Sequence, residues 1–320
     1  MSLTPSISVV VSTRDREQRL SRLLVSLRAQ TLSRDDFEVV VVNNGSLDGT
    51  AAVLEREERR GGLRLRTLTL PRSGGPAVGR NAGWRTASGA IVAFTDDDCA
   101  ADPRWLEALA AAARAQPGAI VQGRTDPAPD EAEGLDVFSR TVEVTELGPF
   151  FHTCNIAYPR MLLEELGGFD EATFGRQPGG EDTDLAWRAI ESGAEATYAD
   201  DVRVFHAVNR LGPLGGLRLS LRWSDTMAVF ARHAGMRARL HRGIFWKRSH
   251  ELLIRALVGA ALARRFPPAA LLAYPYLKDV VRRTRRSGSP PVYAPYLAVQ
   301  DVVETYAAIR GAVRHRVLVL

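Results

Sequence analysis

Residues 90–95 form an apolar run, Ala-Ile-Val-Ala-Phe-Thr, that stops at three consecutive carboxylates, Asp96, Asp97 and Asp98. Such a run suits a buried strand, whereas three adjacent like charges repel one another and are costly to desolvate. The junction belongs where a strand leaves the core, at the carboxyl end of a strand in an open α/β sheet beside the ligand crevice. Extended backbone through the triplet would send Asp96 and Asp98 to one side and Asp97 to the other. An Asp-x-Asp pair of this kind suits Mg2+ or Mn2+, hard cations that take oxygen ligands and keep coordination positions for a diphosphate. Taken alone, the triplet reads equally as a solvated turn capping a helix that starts near Pro103.

The surrounding chain favours the crevice. Apolar runs at 7–11, 38–42, 63–70 and 90–95 alternate with helical patterns, the first of which places Leu20, Leu23, Leu24 and Leu27 on one face. Short strands alternating with helices predict parallel βαβ units with their ligand crevice at the strand carboxyl ends. Further on, 105–115, 161–166 and 182–192 read as helices and 120–123 and 198–206 as strands, with a loop at 126–134. Beyond residue 209 the alternation gives way to an Arg-rich, mainly helical pattern. The expected division is a domain over 1–208 and a basic helical region over 209–320.

Charge divides the chain in nearly the same place. Residues 1–202 hold 32 acidic and 21 basic side chains; residues 203–320 hold 5 acidic and 21 basic ones, and the whole carries +5. A basic segment of this kind seeks an anionic surface. Arginines flank an apolar stripe of Leu253, Ile254, Leu257, Val258, Ala261 and Leu262, with Tyr274, Tyr276 and Tyr293 as interfacial anchors. That combination predicts docking on an anionic membrane or, with the stripe turned inward, a protein core or homodimer interface. No nucleic-acid-binding motif accompanies the charge, so nucleic acid is not an expected partner. Two cysteines, Cys99 and Cys154, are too few for a disulfide framework, and the short polar start is unlike a signal peptide. No uncharged apolar stretch reaches spanning length. The expected location is cytoplasmic, peripheral on the inner face of the plasma membrane.

Five local features fall at strand ends or helix starts: Ser12-Thr13-Arg14-Asp15, Asn43-Asn44-Gly45-Ser46, Gly79-Arg80-Asn81-Ala82-Gly83, Asp96-Asp97-Asp98 and Gly179-Gly180-Glu181-Asp182. In this order the chain resembles inverting glycosyltransferase family 2, with its GT-A fold, over roughly residues 7–206. The resemblance implies an α/β, mostly parallel sheet that binds a nucleoside-diphosphate sugar and a divalent cation. It implies donor contacts from Thr13, Asp15, Asn44, Arg80, Asp96 and Asp97, and metal ligation by Asp96, Asp98 and His206. It further implies a catalytic base at Asp182, with Glu181 beside it, and sugar or acceptor contacts from the segments around Cys154 and Phe169. The dipole of the helix that begins at Glu181 is expected to keep Asp182 ionised. Arg80 also reads as a solvated helix residue, His206 as a packed histidine, and the two cysteines as small buried residues. Asn43-Asn44 stands where paired aspartates are common in the family.

The implied reaction is metal-dependent, inverting transfer of one sugar to a glycan or lipid-linked acceptor hydroxyl. Only Arg222-Trp223 survives of the Gln-x-x-Arg-Trp signature of processive synthases. Two rivals stay open from the residues alone: a nucleotidylyltransferase, whose Gly-rich loop is missing from Ser12-Thr13-Arg14-Asp15, and a non-catalytic membrane-associated scaffold. A dehalogenase-type phosphatase would carry its Asp-x-Asp after the first strand, not the fourth.

Overall fold

The computed structural model describes residues 5–175 and 179–320, so residues 1–3 of the polar start and residue 4 lie outside the described residues. The strands are β1 (Ile7–Thr13), β2 (Phe37–Asn44), β3 (Leu65–Leu70), β4 (Ile91–Thr95), β5 (Cys99–Ala101), β6 (Ile120–Pro127), β7 (Ser139–Arg140), β8 (Asn155–Pro159), β9 (Ala196–His206) and β10 (Asn209–Arg210). Eight of them make one sheet in the order β3-β2-β1-β4-β8-β6-β9-β5. The first four are mutually parallel, β8 runs antiparallel to β4 and β6, and β5 runs antiparallel to β9. Strands β1 to β3 grow the sheet in one direction and β4 is laid on the other side of β1. This reversal creates a crevice at the carboxyl ends of β1 and β4, the place where open α/β sheets bind ligands. Thr13 is paired with Asn43 at this edge, and Asp96 follows Thr95 beside them.

Both faces of the sheet are covered, which is why β1 and β2 can be apolar throughout. Val9, Val11, Val39 and Val41 meet Leu20, Leu23, Leu24 and Leu27 of α1 (Glu17–Arg28) in one layer. The same layer takes Val53 and Leu54 of α2 (Thr50–Arg60). Val10, Val40, Val92 and Phe94 point the other way, as a period of two requires. They meet Ala77 and Trp84 of α3 (Pro76–Thr86), and α4 (Trp105–Ala115) adds Trp105, Leu106 and Leu109 to the first layer. Leu163 of α5 (Arg160–Leu166) and Leu185, Ala186 and Ala189 of α7 (Glu181–Glu191) complete the second layer; α6 (Glu171–Phe174) lies between them in sequence. Helix α3 lies flush on the strands through Gly79 and Gly83. A Cβ at Gly79 would stand 2.0 Å from Ser12 Oγ, and one at Gly83 would stand 2.4 Å from Val10 Cγ1. A buried charge fastens the far end of the sheet. Glu38 accepts hydrogen bonds from Ser8 Oγ at 2.7 Å, Ser88 N at 2.6 Å and Ser88 Oγ at 2.7 Å.

Three expectations need correction. Strands β5 and β8 were not foreseen: β5 has three residues, β8 ends at a proline, and antiparallel partners need no crossover helix to announce them. Strand β6 continues to Pro127, through an irregularity at Gly123/Arg124, into the segment expected to be a loop from 126. The aspartate triplet is a turn and not extended backbone, because Cys99 N donates to Asp96 O at 3.1 Å. Its three side chains therefore go to different neighbours.

The chain divides into two units, Met1–Glu131 with Thr141–Val208, and Ala132–Arg140 with Asn209–Leu320. The second unit thus takes nine residues from the region expected to belong wholly to the first, and they arrive as β7 pairing antiparallel with β10. Its helices are α8 (Gly212–Ser220), α9 (Trp223–Arg232), α10 (Ala234–Arg237), α11 (Arg248–Leu262), α12 (Tyr274–Arg286) and α13 (Ala294–His315). Leu252, Leu253 and Ala256 of α11 pack on Tyr276 and Val280 of α12. This splits the predicted apolar stripe: Leu253 is core, whereas Leu257, Val258 and Leu262 are exposed. Tyr276 is buried and donates to Asp301 Oδ2 at 3.0 Å, so it is no interfacial anchor. Trp223 is packed at 4.8 Å from the Trp246 ring, with Lys247 over its face. No helix among the described residues is long and apolar enough to cross a membrane.

Candidate active site

The loops after β1 and β2 are laced together at the crevice edge. Asp15, in a left-handed conformation at φ 53°, accepts from Leu47 N at 2.7 Å, and its own N–H donates to Ser46 Oγ at 3.0 Å. The Asn44 side chain spans the turn before α3: its amide donates to Gly75 O at 2.8 Å and its carbonyl accepts from Gly74 N at 3.1 Å. Asn44 therefore shapes the crevice floor with both of its polar atoms engaged. Thr13 is different. Its hydroxyl is buried, close to Asp97 but closing no hydrogen bond, and an unmet buried hydroxyl is costly unless something else completes it.

Helix α3 delivers Arg80 to the centre of the site. Its guanidinium donates to Asp96 Oδ1 at 2.9 Å and to Glu181 Oε1 at 2.9 Å, and it lies over the Phe169 ring at 5.8 Å. Arg80 is thus neither a solvated residue nor a free cation; it is a buried bridge between the β4 turn and the start of α7. The neighbouring Asn81 faces elsewhere, donating to Phe169 O at 2.8 Å and accepting from Phe169 N at 2.9 Å.

Helix α7 starts at Gly180, whose φ of 100° lies in the region open to glycine. Gly179 N donates to Glu181 Oε2 at 2.9 Å, and Thr183 N donates to Asp182 Oδ1 at 2.8 Å. The sequence-based expectation of an easily ionised Asp182 is overturned. Burial, and then the adjacent Glu181 charge, raise its pKa to about 7, outweighing Arg80 and the helix terminus. The segment facing this helix is fastened to it, since Thr183 Oγ1 donates to Phe150 O at 2.7 Å and Trp187 Nε1 donates to Pro149 O at 2.9 Å.

Asp98 and His206 are brought together by the unforeseen β5, whose Cys99 pairs with His206 across the sheet. His206 Nε2 lies 3.4 Å from Asp98 Oδ1, both side chains being about nine-tenths buried. His206 Nδ1 is 2.8 Å from Ala207 O, which can only accept, so Nδ1 carries the proton. Nε2 then turns a lone pair toward a carboxylate oxygen, an arrangement completed by a cation or a proton between them. This donor pair fits a divalent metal ion. Cys99 Sγ belongs to the same cluster, but burial holds its thiol well above the ordinary range, so it remains a protonated, weak ligand. Asp96 is outside this cluster, its Oδ1 being engaged by Arg80. Burial, and then the Asp98 charge, push Asp97 up to about 7.

One site residue escaped the sequence reading. His152 stands where burial lowers its pKa against the pull of Asp96, in a segment that includes Phe151 at φ 51°. A bulky residue in the left-handed region is strained. The only signal for His152 was its place next to Thr153-Cys154-Asn155.

An α/β sheet with an acidic crevice at its switch point, bridged by Arg80 to the start of α7, is the class of architecture the geometry defines. Comparison with known proteins names the class. The glycosyl transferase family 2 model matches residues 8–167, half the length of the chain. The chain belongs to that family. Validoxylamine A glucosyltransferase of Streptomyces hygroscopicus subsp. limoneus is 31% identical over 233 residues, covering 62% of this chain and 51% of that protein. The pre-mycofactocin glycosyltransferase of Mycobacterium tuberculosis is 30% identical over 213 residues, covering 62% of this chain and 42% of its own length. The chain thus spans about half the length of such curated relatives. Among solved structures, the mannosyltransferase PcManGT from Pyrobaculum calidifontis, in complex with GDP-Man and Mn2+, superposes with a TM-score of 0.60 at 23% identity, over 98% of this chain and 87% of that one. TarS of Staphylococcus aureus in complex with UDP gives 0.53 at 19% identity, over 97% of this chain and 91% of that one. At these identities the likeness is one of fold, and the fold is GT-A with a helical carboxyl-terminal region.

Proposed function

We propose that the enzyme transfers a single sugar from a nucleoside-diphosphate sugar to an acceptor hydroxyl, with inversion and with a divalent cation. The observation that supports this most is the meeting of three acidic groups at one crevice: Asp98 with His206, Asp96 with Arg80, and Glu181 with Asp182. Asp98 and His206 would hold the cation, which when bound supplies positive charge to a departing diphosphate. The buried Thr13 hydroxyl and the Asp15 loop would receive the nucleoside. Asp182, its pKa near the working range, would take the acceptor proton as the hydroxyl oxygen bonds to the anomeric carbon and the bond to the diphosphate breaks. Fastening Asp96 and Glu181, the neighbour of Asp182, to one guanidinium would hold base and donor side in register, where small displacements are costly. The ligands of the structural neighbours, GDP-Man with Mn2+ and UDP, support a nucleotide-sugar donor. The acceptor would be a glycan or a lipid-linked hydroxyl, met at the inner face of the plasma membrane.

A panel of nucleotide sugars tested by thermal shift, with and without Mn2+, identifies the donor, since ligand binding raises the melting temperature. Product NMR then reads the anomeric configuration. Full turnover in excess EDTA, or a product of retained configuration, would defeat the respective part of the proposal.

A further inference from the structure

Large apolar side chains exposed to solvent are unevenly placed. In the catalytic unit they are Val25, Leu47, Leu147 and Met161; all the others among the described residues lie from Leu211 onward. A cluster of them marks one corner of the helical unit: Leu257 and Leu262 at the end of α11, Phe266, Leu271 in the turn Pro267–Ala273, and Tyr274 and Leu277 at the start of α12. Their exposure runs from 53% to 75%. The corner is rigid where it matters, because a Cβ at Gly259 would stand 2.6 Å from Ala269 O, so the turn is laid directly on α11.

Helix α12 explains how the corner is presented. Tyr276, Val280 and Thr284, four residues apart, are its inner face. Its outer face begins with Tyr274, Leu277 and Val281 and ends with Arg282, Arg285 and Arg286, with Lys278 between. Asp279 and Asp301 answer Arg283, and Asp279 lies 3.7 Å from Arg282. Lys278, Arg285, Arg286, Arg264 and Arg265 have no carboxylate within ion-pair distance among the described residues. Five unanswered cations around a bare apolar corner are unlike a solvated surface.

We propose that this corner docks on the headgroup region of an anionic lipid bilayer. The apolar tip would enter the acyl boundary while the ring of lysine and arginine meets acidic headgroups, the arrangement by which helices lie in a membrane interface without crossing it. Charge is what selects this partner. A second copy of the chain would bring the same cations against themselves, and a neutral apolar ligand would leave them unanswered. The inference names a partner for the proposed enzyme and is tested without any catalytic readout, so it fails or survives separately from the donor and metal assignments.

Co-sedimentation of the full chain with phosphatidylcholine vesicles, with and without phosphatidylglycerol, tests it. Binding is expected only with phosphatidylglycerol and should weaken as salt rises, because headgroup attraction is screened. The double variant Arg285→Gln/Arg286→Gln should weaken binding roughly tenfold or more. Leu271→Ser/Leu277→Ser should do the same while circular dichroism and the melting temperature stay unchanged. Val302→Ser/Ile309→Ser, on the exposed side of α13, should bind as the parent does. A fluorophore on Leu277→Cys should shift to the blue on acidic vesicles alone. Equal binding to both vesicle types, binding to neither, loss of binding through the α13 variant with retention in the α12 variant, or a dimer that the Leu271/Leu277 change dissociates would each overturn the proposal.

Discussion

Arg80 and Arg285 are the same residue in opposite settings. Arg80 is nine-tenths buried between two carboxylates, while Arg285 stands in water with none in reach. Valine shows the same contrast. Val9, Val10 and Val11 are fully hidden in β1, whereas Val299, Val302 and Val313 on α13 are about half exposed or more, and Gln300, Asp301 and Glu304 of that helix are buried. The first unit pairs its buried Arg80 with two carboxylates and hides most of its large aliphatic groups, leaving Val25, Leu47, Leu147 and Met161 exposed. The helical unit takes polar groups inward, pairs them with one another, and leaves aliphatic groups outside. Lys247 at 2.6 Å from Glu304, and Tyr276 and Arg283 on Asp301, are the inward pairs. Burial is thus a poor proxy for polarity in this chain: the first unit is built to enclose chemistry, and the second is built to present a surface.

The comparison breaks most sharply at Asp182. As the base it should be worth about 10²–10⁴ in kcat, so Asp182→Asn should lower kcat by that factor with donor affinity nearly unchanged. Arg282→Gln in the helical unit should leave kcat on a water-soluble acceptor as it was. The sign of the pH dependence follows from the raised pKa. The ionised carboxylate does the work, so wild-type kcat should rise as pH climbs through about 7. The folded state binds that proton more tightly than the unfolded chain, so this group costs stability progressively as pH rises from the ordinary aspartate value to about 7, and the cost is complete above it. Asp182→Asn should therefore melt higher than wild type above neutral pH and lose that advantage in acid. Steady-state kinetics and melting curves across pH check both halves.

Next comes the arginine pair itself. Arg80→Met strands Asp96 and Glu181 and should cost about 3–5 kcal/mol in denaturant unfolding. Arg285→Met should stay within about 0.5 kcal/mol. Equal costs would erase the distinction between the units. The smaller effect is at Glu38. Although burial alone would raise its pKa, the hydrogen bonds from Ser8 and Ser88 hold it below the ordinary range. A depressed carboxylate contributes stability above its unfolded pKa and loses it as pH falls. Glu38→Gln should cost about 1–3 kcal/mol at neutral pH, and the gap to wild type should close only as pH falls below about 4.

How much of this could be read from residues alone depended on which kind of burial was involved. The parallel strands were legible because a sheet covered on both faces writes continuous apolar runs, and β1, β2 and β4 have them. The order of the acidic and glycine motifs sufficed to group Asp96, Asp98, Glu181 and Asp182. What stayed hidden were pairings with no local signal: three-residue β5, which sets Cys99 opposite His206, and the turn that sends Asp96 to Arg80 while Asp98 goes to His206. Period alone located the stripe on α11 but could not say that Leu253 faces inward and Leu257 outward. That choice is made by α12, which is distant in sequence from the first turns of the stripe.

The pentapeptide Gly79-Arg80-Asn81-Ala82-Gly83 has a consequence for anyone who would redesign the enzyme. Its two glycines touch β1, its arginine ties two acidic loops, and its asparagine holds the backbone at Phe169. One helical turn thus serves three surfaces at once, and a change that suits one of them is charged to the other two. Laboratory evolution toward a new donor therefore has little freedom on α3. The open ground is Leu47, whose side chain faces water while only its backbone N–H is tied to Asp15.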